Sequence, residues 1–216
     1  MRYKGAIFDM DGVLFDTERI YQQTWQEIAA ERELSLADGF LQAVSGTNGA
    51  HMRHVIEQYY HVPDGAPIIE QCMLQVRQKL SVHVPMKKGV REILSFFREH
   101  GIDMAVASSS AAPQIESNLR MTGIRDYFSE IISGTEVTCG KPAPDIFLLA
   151  AKRLGHAPNT CIIFEDSENG IKAGHAAGCF TVMVPDLIAV SPAIEPLCSI
   201  ICTDLDEAKE KIRPFI

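Results

Sequence analysis

The chain has 216 residues, a formal net charge of −8 and 46% apolar residues. This length allows one or two domains, and this apolar fraction can form a substantial core. The negative charge argues against nucleic acid or an anionic membrane as a partner. No apolar run approaches the ~20 residues of a membrane span, and we expect no leader segment before the first strand-like run. The six cysteines show no Cys-x-x-Cys spacing, so we expect reduced thiols and a cytoplasmic location.

Two carboxylates follow the first apolar run of the chain. Residues 5–8 predict a buried strand, and Asp9 and Asp11 come directly after it. Because alternate residues of an extended chain point to the same side, we expect both carboxylates to face one spot. Gly12 then allows the chain to turn sharply. A strand end followed by a solvated turn would give the same pattern, so these two residues alone leave function open.

The next part of the chain, residues 17–81, has helical periodicity and no convincing strand. Helices are predicted at residues 17–33, 36–44, 49–60 and 66–81. We therefore expect a small helical domain, 17–81, inserted between residues 1–16 and 82–216 of a second, discontinuous domain.

Strands and helices alternate through the rest of the chain. Strands are predicted at 102–107, 129–133, 161–164, 180–184 and 199–202, and helices at 88–99, 112–121, 143–154, 168–177 and the C terminus. This alternation is typical of a parallel sheet with right-handed crossovers. The predicted fold class is α/β, with a Rossmann-like parallel sheet core and a small inserted α-helical domain.

Polar side chains follow four of the predicted strands. In chain order they are Asp9 and Asp11, then Ser108, Ser109 and Ser110, then Lys141, then Glu165, Asp166 and Ser167. The carboxyl ends of parallel strands lie at one edge of a sheet, where ligands bind. Each residue also has an ordinary interpretation, such as a helix cap for Ser108 or a surface lysine for Lys141. Their joint occurrence at four strand ends favours a functional site.

The charges at this edge suggest its chemistry. Four carboxylates against one lysine leave a formal charge of −3, which would raise carboxyl pKa values or recruit a cation. An all-oxygen donor set favours Mg²⁺. A serine hydroxyl and a lysine beside such an ion suit a phosphoryl group. One carboxylate could then act as nucleophile and another as general acid and base.

Over nearly the whole chain, these motifs resemble those of the haloacid dehalogenase superfamily of phosphohydrolases. The four motifs appear in order as Asp9-x-Asp11-Gly12, Ser108, Lys141-Pro142 and Glu165-Asp166. The helical insert resembles the cap domain of the branch that includes β-phosphoglucomutase and many small phosphatases. The resemblance implies a Mg²⁺-dependent phosphatase that acts on a small phosphomonoester through an aspartyl-phosphate.

The resemblance also implies roles for individual residues. Asp9 would be the nucleophile, and Asp11 the acid and base. Three residues would bind the phosphoryl oxygens: Ser108, Ser109 and Lys141. Mg²⁺ would be held by the carboxylates of Asp9 and Asp166 and by the backbone carbonyl of Asp11, with Glu165 as an outer or alternate ligand.

The substrate contacts in the cap are the least determined part of the pattern. Candidates are Thr17, Tyr21, Gly46 and Asn48. Mutases of the branch have a histidine where this chain has Tyr21, and a lysine and an asparagine where it has Ala111 and Ala112. These differences favour a phosphatase. A phosphomutase is the alternative, and a non-catalytic regulatory protein is disfavoured because Asp9 is intact.

Residues 17–81 contain eight acidic against five basic side chains. A heavily phosphorylated substrate is therefore not expected. The expected partner is a small phosphorylated metabolite, with the protein a monomer or weak dimer.

Overall fold

The computed structural model describes residues 3–44, 47, 49–187 and 189–216. The chain forms two compact units, one of Met1–Asp16 with Pro85–Ile216 and the other of Thr17–Val84. No helix in the described ranges is both long and apolar enough to cross a membrane.

The first unit is built on a parallel sheet. Its described strands are β1 (Gly5–Phe8), β2 (Asp103–Ser108), β3 (Glu130–Ser133), β4 (Cys161–Glu165), β5 (Phe180–Met183) and β6 (Ile200–Ile201). Their order is β3-β2-β1-β4-β5-β6, and every neighbouring pair is parallel. The chain crosses from one side of β1 to the other between β3 and β4, so β1 and β4 flank the point where ligands bind in such sheets. The predicted α/β, Rossmann-like fold is confirmed.

The helices of the described residues fall into both units. The second unit contains α1 (Thr17–Glu31), α2 (Phe40–Val44), α3 (Gly49–Tyr60) and α4 (Ala66–Val82), and the first contains α5 (Val90–Glu99), α6 (Ala112–Met121), α7 (Asp145–Arg153), α8 (Glu168–Ala176) and α9 (Leu205–Ile212). Three helices begin later than predicted: α2, α5 and α7. For α2 and α5 the reason is the preceding glycine, because Gly39 has a φ of 90° and Gly89 a φ of 83°. A right-handed helix cannot contain that conformation.

Both faces of the central strands are buried. Ile7 of β1 and Ile163 of β4 lie in one apolar cluster with Phe147 of α7. Phe8 and Phe164 stack at a centroid distance of 4.5 Å and are fully buried. This burial on two sides explains why the strands read as continuous apolar runs.

The helical unit has its own core. Trp25, Phe40 and Tyr60 contact one another edge to face and are buried. The Tyr60 hydroxyl donates to the Trp25 carbonyl at 2.5 Å, so the buried phenol is satisfied.

Candidate active site

A tight turn after β1 positions the first two carboxylates. The Asp9 amide donates to the carbonyl of Phe164 in β4 at 3.0 Å, which continues the sheet pairing up to Asp9. Gly12 then adopts a φ of 85°, and its amide donates to the Phe15 carbonyl at 2.8 Å. Only glycine takes such a conformation without strain, so Gly12 fixes where the chain leaves the sheet edge.

Lys141 joins two of the predicted acidic residues. Its ammonium donates to Asp9 Oδ1, to Glu165 Oε1 at 2.5 Å and to the carbonyl of Ala107 at 3.3 Å. The side chains of Lys141, Asp9 and Glu165 are 8%, 11% and 0% exposed. The lysine therefore links the ends of β1, β2 and β4 in a nearly dry environment.

Burial and charge shift the ionisation of this group. Burial raises the pKa of Asp9 to about 7; Lys141 opposes the shift, while Glu165 and Asp11 add to it. Burial alone would lower the pKa of Lys141, but Asp9 and Glu165 outweigh it and raise that pKa above its ordinary value. Lys141 is therefore cationic, but its charge does not fully offset the cost of ionising the buried Asp9 carboxyl group.

The hydrogen-bonding capacity of Glu165 is used within the protein. Its Oε2 accepts from the backbone amides of Asp166 and Ser167, both at 3.2 Å, and from the Ser167 hydroxyl at 3.0 Å. A side chain at Gly170 of α8 would overlap the Glu165 carboxyl group. Glu165 thus anchors Lys141 with one oxygen and the turn after β4 with the other.

The carboxylate of Asp166 lies against the turn after β1. A Cβ on Gly12 would come within 2.6 Å of Asp166 Cγ. Asp166 is therefore brought next to the Asp11–Gly12 peptide by the absence of a side chain at residue 12. Among the described residues, no three His, Cys, Asp or Glu side chains converge as a ready-made metal site.

The predicted phosphate-binding serines form a short loop after β2. Ser108 is buried, and its hydroxyl accepts from the Ser110 amide at 3.1 Å, while Ser109 is exposed. The Ser110 hydroxyl donates to Asp11 Oδ2 at 3.1 Å. Sequence reasoning missed Ser110 as a site residue, although the run of three serines at the end of a strand was a signal for it.

The structure describes two of the four candidate substrate residues. Thr17 is buried at the first position of α1, and Tyr21 is half-buried one turn later, both in the helical unit. Gly46 and Asn48 lie outside the described residues. Ala111 and Ala112 are exposed at the start of α6, in the first unit.

Comparison with known proteins identifies the family. The model of the haloacid dehalogenase-like hydrolases matches residues 6–184. Fructose-1-phosphate phosphatase YqaB of Escherichia coli is 35% identical over 188 residues, covering 85% of this chain and 97% of that protein. Hexitol phosphatase B of the same species is 29% identical over 185 residues, covering 83% and 82%. A hydrolase structure of this family from Deinococcus radiodurans, with bound phosphate and sodium, has a TM-score of 0.84 at 26% identity, covering 99% and 96%.

The fold, the site and these similarities define a phosphoric monoester hydrolase. The chain belongs to the haloacid dehalogenase-like hydrolases. The family resemblance found in the sequence motifs is thereby confirmed.

Proposed function

We propose that this chain is a Mg²⁺-dependent phosphatase that hydrolyses a small phosphomonoester, a sugar phosphate or a similar metabolite, through an aspartyl-phosphate on Asp9. The observation that carries the proposal is the Asp9 carboxylate at the end of β1, in contact with the Lys141 ammonium. Lysine beside a carboxylate nucleophile offers a positive charge to an incoming phosphoryl group. The similar proteins are named phosphatases of phosphorylated sugars or hexitols, which supports this substrate class.

The donors at the site fit Mg²⁺. Mg²⁺ in proteins needs only one or two carboxylates and retains several waters, so a cluster of three side chains is not required. The carboxylates of Asp9 and Asp166 and the carbonyl of Asp11 would hold the ion. When bound, it would neutralise charge on the phosphoryl oxygens and lower the pKa of Asp9. We assign Glu165 to holding Lys141 rather than to the metal, because both of its oxygens already accept hydrogen bonds.

The first chemical step transfers the phosphoryl group to the protein. A carboxylate oxygen of Asp9 attacks phosphorus while the bond from phosphorus to the ester oxygen breaks. The departing oxygen keeps the electron pair and takes a proton from Asp11, which lowers the barrier most for a poor leaving group. Ser108, the backbone at Ser109 and Lys141 hold the other phosphoryl oxygens.

The second step restores the enzyme. Asp11, now a carboxylate, accepts a proton from water as that water attacks phosphorus. The bond between phosphorus and Asp9 breaks, its electron pair returns to the carboxylate, and inorganic phosphate leaves. Throughout both steps the ion pair with Glu165 holds Lys141 at the site, so its ammonium stays in position to contact the phosphoryl group.

Hydrolysis is favoured over mutase chemistry by the residues that replace the mutase pattern. A mutase must protect its phosphoenzyme from water until the intermediate has turned round, which needs specific contacts that favour closure on the correct sugar phosphate. Ala111 and Ala112 have no side-chain donor, and Tyr21 offers a single phenol. We propose that the helical unit, expected at residues 17–81, serves as a cap of low selectivity.

A screen tests the proposal. The protein is incubated with Mg²⁺ and a panel of hexose, pentose and hexitol phosphates and nucleotides, and released phosphate is measured for the wild type and Asp9→Asn. We expect release from one or several sugar or hexitol phosphates and none above background with the variant, because an amide is not a competent nucleophile. Substantial release by Asp9→Asn would contradict the assigned nucleophile.

A further inference from the structure

We propose that Ser110 is a positioning residue that orients the Asp11 carboxylate, and that the turn after β3 holds Ser110 in place. The inference rests on the acid and base role proposed for Asp11. No residue role assigned above includes Ser110.

All three polar groups of Ser110 are engaged. Its hydroxyl donates to Asp11 Oδ2 at 3.1 Å, and its amide donates to the Ser108 hydroxyl oxygen at 3.1 Å. Its carbonyl accepts from the hydroxyl of Ser133, the last residue of β3, at 2.7 Å. Ser110 therefore connects the proposed acid, a proposed phosphate ligand and the neighbouring strand, which restricts its own side chain.

The strand register explains why Ser133 is available for this contact. Ser108 and Ser133 are paired neighbours at the ends of β2 and β3. Ser133 is fully buried, and its hydroxyl also accepts from the Thr135 amide at 3.2 Å, while its own amide donates to Glu136 at 2.8 Å. This reciprocal capping arrangement holds the Ser133 hydroxyl within hydrogen-bonding distance of the Ser110 carbonyl.

Gly134 brings the same turn into direct contact with the serine loop. A Cβ on Gly134 would lie 2.9 Å from the Cα of Ser109 and 3.2 Å from its carbonyl oxygen. Since both are backbone atoms, a side chain at residue 134 would have to displace the loop itself. The loop after β2 thus packs against Gly134 and accepts a hydrogen bond from the Ser133 hydroxyl.

The orientation of Asp11 matters most when the leaving group needs a proton. A misoriented acid slows expulsion of a poor leaving group much more than that of a good one, since the latter departs largely without protonation. General structural damage would slow both. The ratio of the two rates therefore separates positioning from stability.

The test compares phenyl phosphate with p-nitrophenyl phosphate, which have similar shapes and different leaving groups. The quantity is kcat/KM, because it reports only the steps up to departure of the leaving group. For Ser110→Ala we expect a loss on phenyl phosphate at least about fivefold greater than on p-nitrophenyl phosphate, within the 10²–10⁴-fold that a general acid contributes. Ser110→Thr keeps the hydroxyl and should restore the wild-type ratio. Equal losses on both substrates for Ser110→Ala would overturn the inference.

Two controls complete the design. Ser117→Ala removes an exposed hydroxyl from α6 and should leave both values unchanged. Asp11→Asn should give a larger difference between the substrates than Ser110→Ala. If Asp11→Asn gave no difference, the acid role in the proposed function would fail. If Asp11→Asn gave a difference and Ser110→Ala gave none, only the role of Ser110 would fail.

Ser133→Ala tests the turn after β3. It should change the ratio in the same direction as Ser110→Ala, and no change would refute the supporting role of the turn.

Discussion

The ammonium of Lys141 donates to the fully buried carboxylate of Glu165 at 2.5 Å, and the same nitrogen contacts Asp9. A buried carboxylate that also binds two backbone amides is costly to disturb. Glu165 therefore determines where the positive charge of the site lies, although it faces away from solvent.

Glu165→Gln keeps the size of this side chain and removes its charge. We expect a loss of about 1–3 kcal/mol in the free energy of unfolding and a lower kcat/KM, because Lys141 loses one compensating charge and the amide NH₂ is badly placed. Urea unfolding and phosphate release measure the two effects. Glu168→Gln is the matched control: its pair with Lys172, at 3.6 Å, is on the surface and contributes little. Equal effects of the two variants would contradict the role given to Glu165.

Gly12→Ala tests the position of Asp166. The methyl group would overlap the Asp166 carboxylate and force a strained φ, so we expect a large increase in the Mg²⁺ concentration for half-maximal activity. Gly101→Ala has a similar φ, 65°, with nothing within 4 Å of the new methyl group. Gly101→Ala should lose about 1–2 kcal/mol of stability and Gly12→Ala at least as much, and only Gly12→Ala should change the metal dependence. Wild-type metal dependence of a folded Gly12→Ala protein would be evidence against Asp166 as a ligand.

Removal of divalent cations should abolish activity. The site carries four carboxylates and one lysine, and the negative charge of a phosphate ester would add to theirs. EDTA should stop phosphate release, and Mg²⁺ should restore it. Ca²⁺ should inhibit, because its looser and higher coordination disturbs in-line attack. Full activity after exhaustive dialysis against EDTA would refute the metal assignment.

The fate of the phosphoenzyme separates phosphatase from mutase. With β-glucose 1-phosphate, Mg²⁺ and a catalytic amount of the corresponding glucose bisphosphate, we expect inorganic phosphate and little glucose 6-phosphate. The reason is that Ala111 and Ala112 supply no side-chain contacts for selective closure. A coupled dehydrogenase assay measures glucose 6-phosphate directly. If it formed faster than free phosphate, the mutase alternative would be correct.

The sequence predicted the elements that are marked by a local pattern of apolar residues. The apolar run Gly5–Phe8 is β1 in the structure, and the alternation after residue 82 is the parallel sheet. The start of α2 was missed because the left-handed conformation of Gly39 is not encoded by periodicity.

Parts of the site depend on contacts that no local pattern reveals. Ser110 reaches Asp11 only because the loop after β2 packs beside the turn after β1. The Glu165 carboxyl group fits here because Gly170 of α8 has no side chain, and one of its oxygens is paired because Lys141 extends to it from the loop after β3. Such relationships are set by tertiary packing, so the sequence indicated the residue types of the site but not their partners.

In the proposed reaction Asp9 carries the phosphoryl group, and the Asp11→Asn variant offers the most direct measurement of this role. With p-nitrophenyl phosphate, the first step needs little acid assistance, whereas hydrolysis of the phosphoenzyme still needs a base. Rapid mixing with Mg²⁺ should therefore release about one equivalent of p-nitrophenol per protein and then nearly stop, as expected for an accumulating covalent intermediate. Mass spectrometry of the acid-quenched protein should place one phosphoryl group on Asp9, and Asp9→Asn/Asp11→Asn should show neither burst nor label. Absence of the burst, or a phosphoryl group on another residue, would contradict Asp9 as the nucleophile.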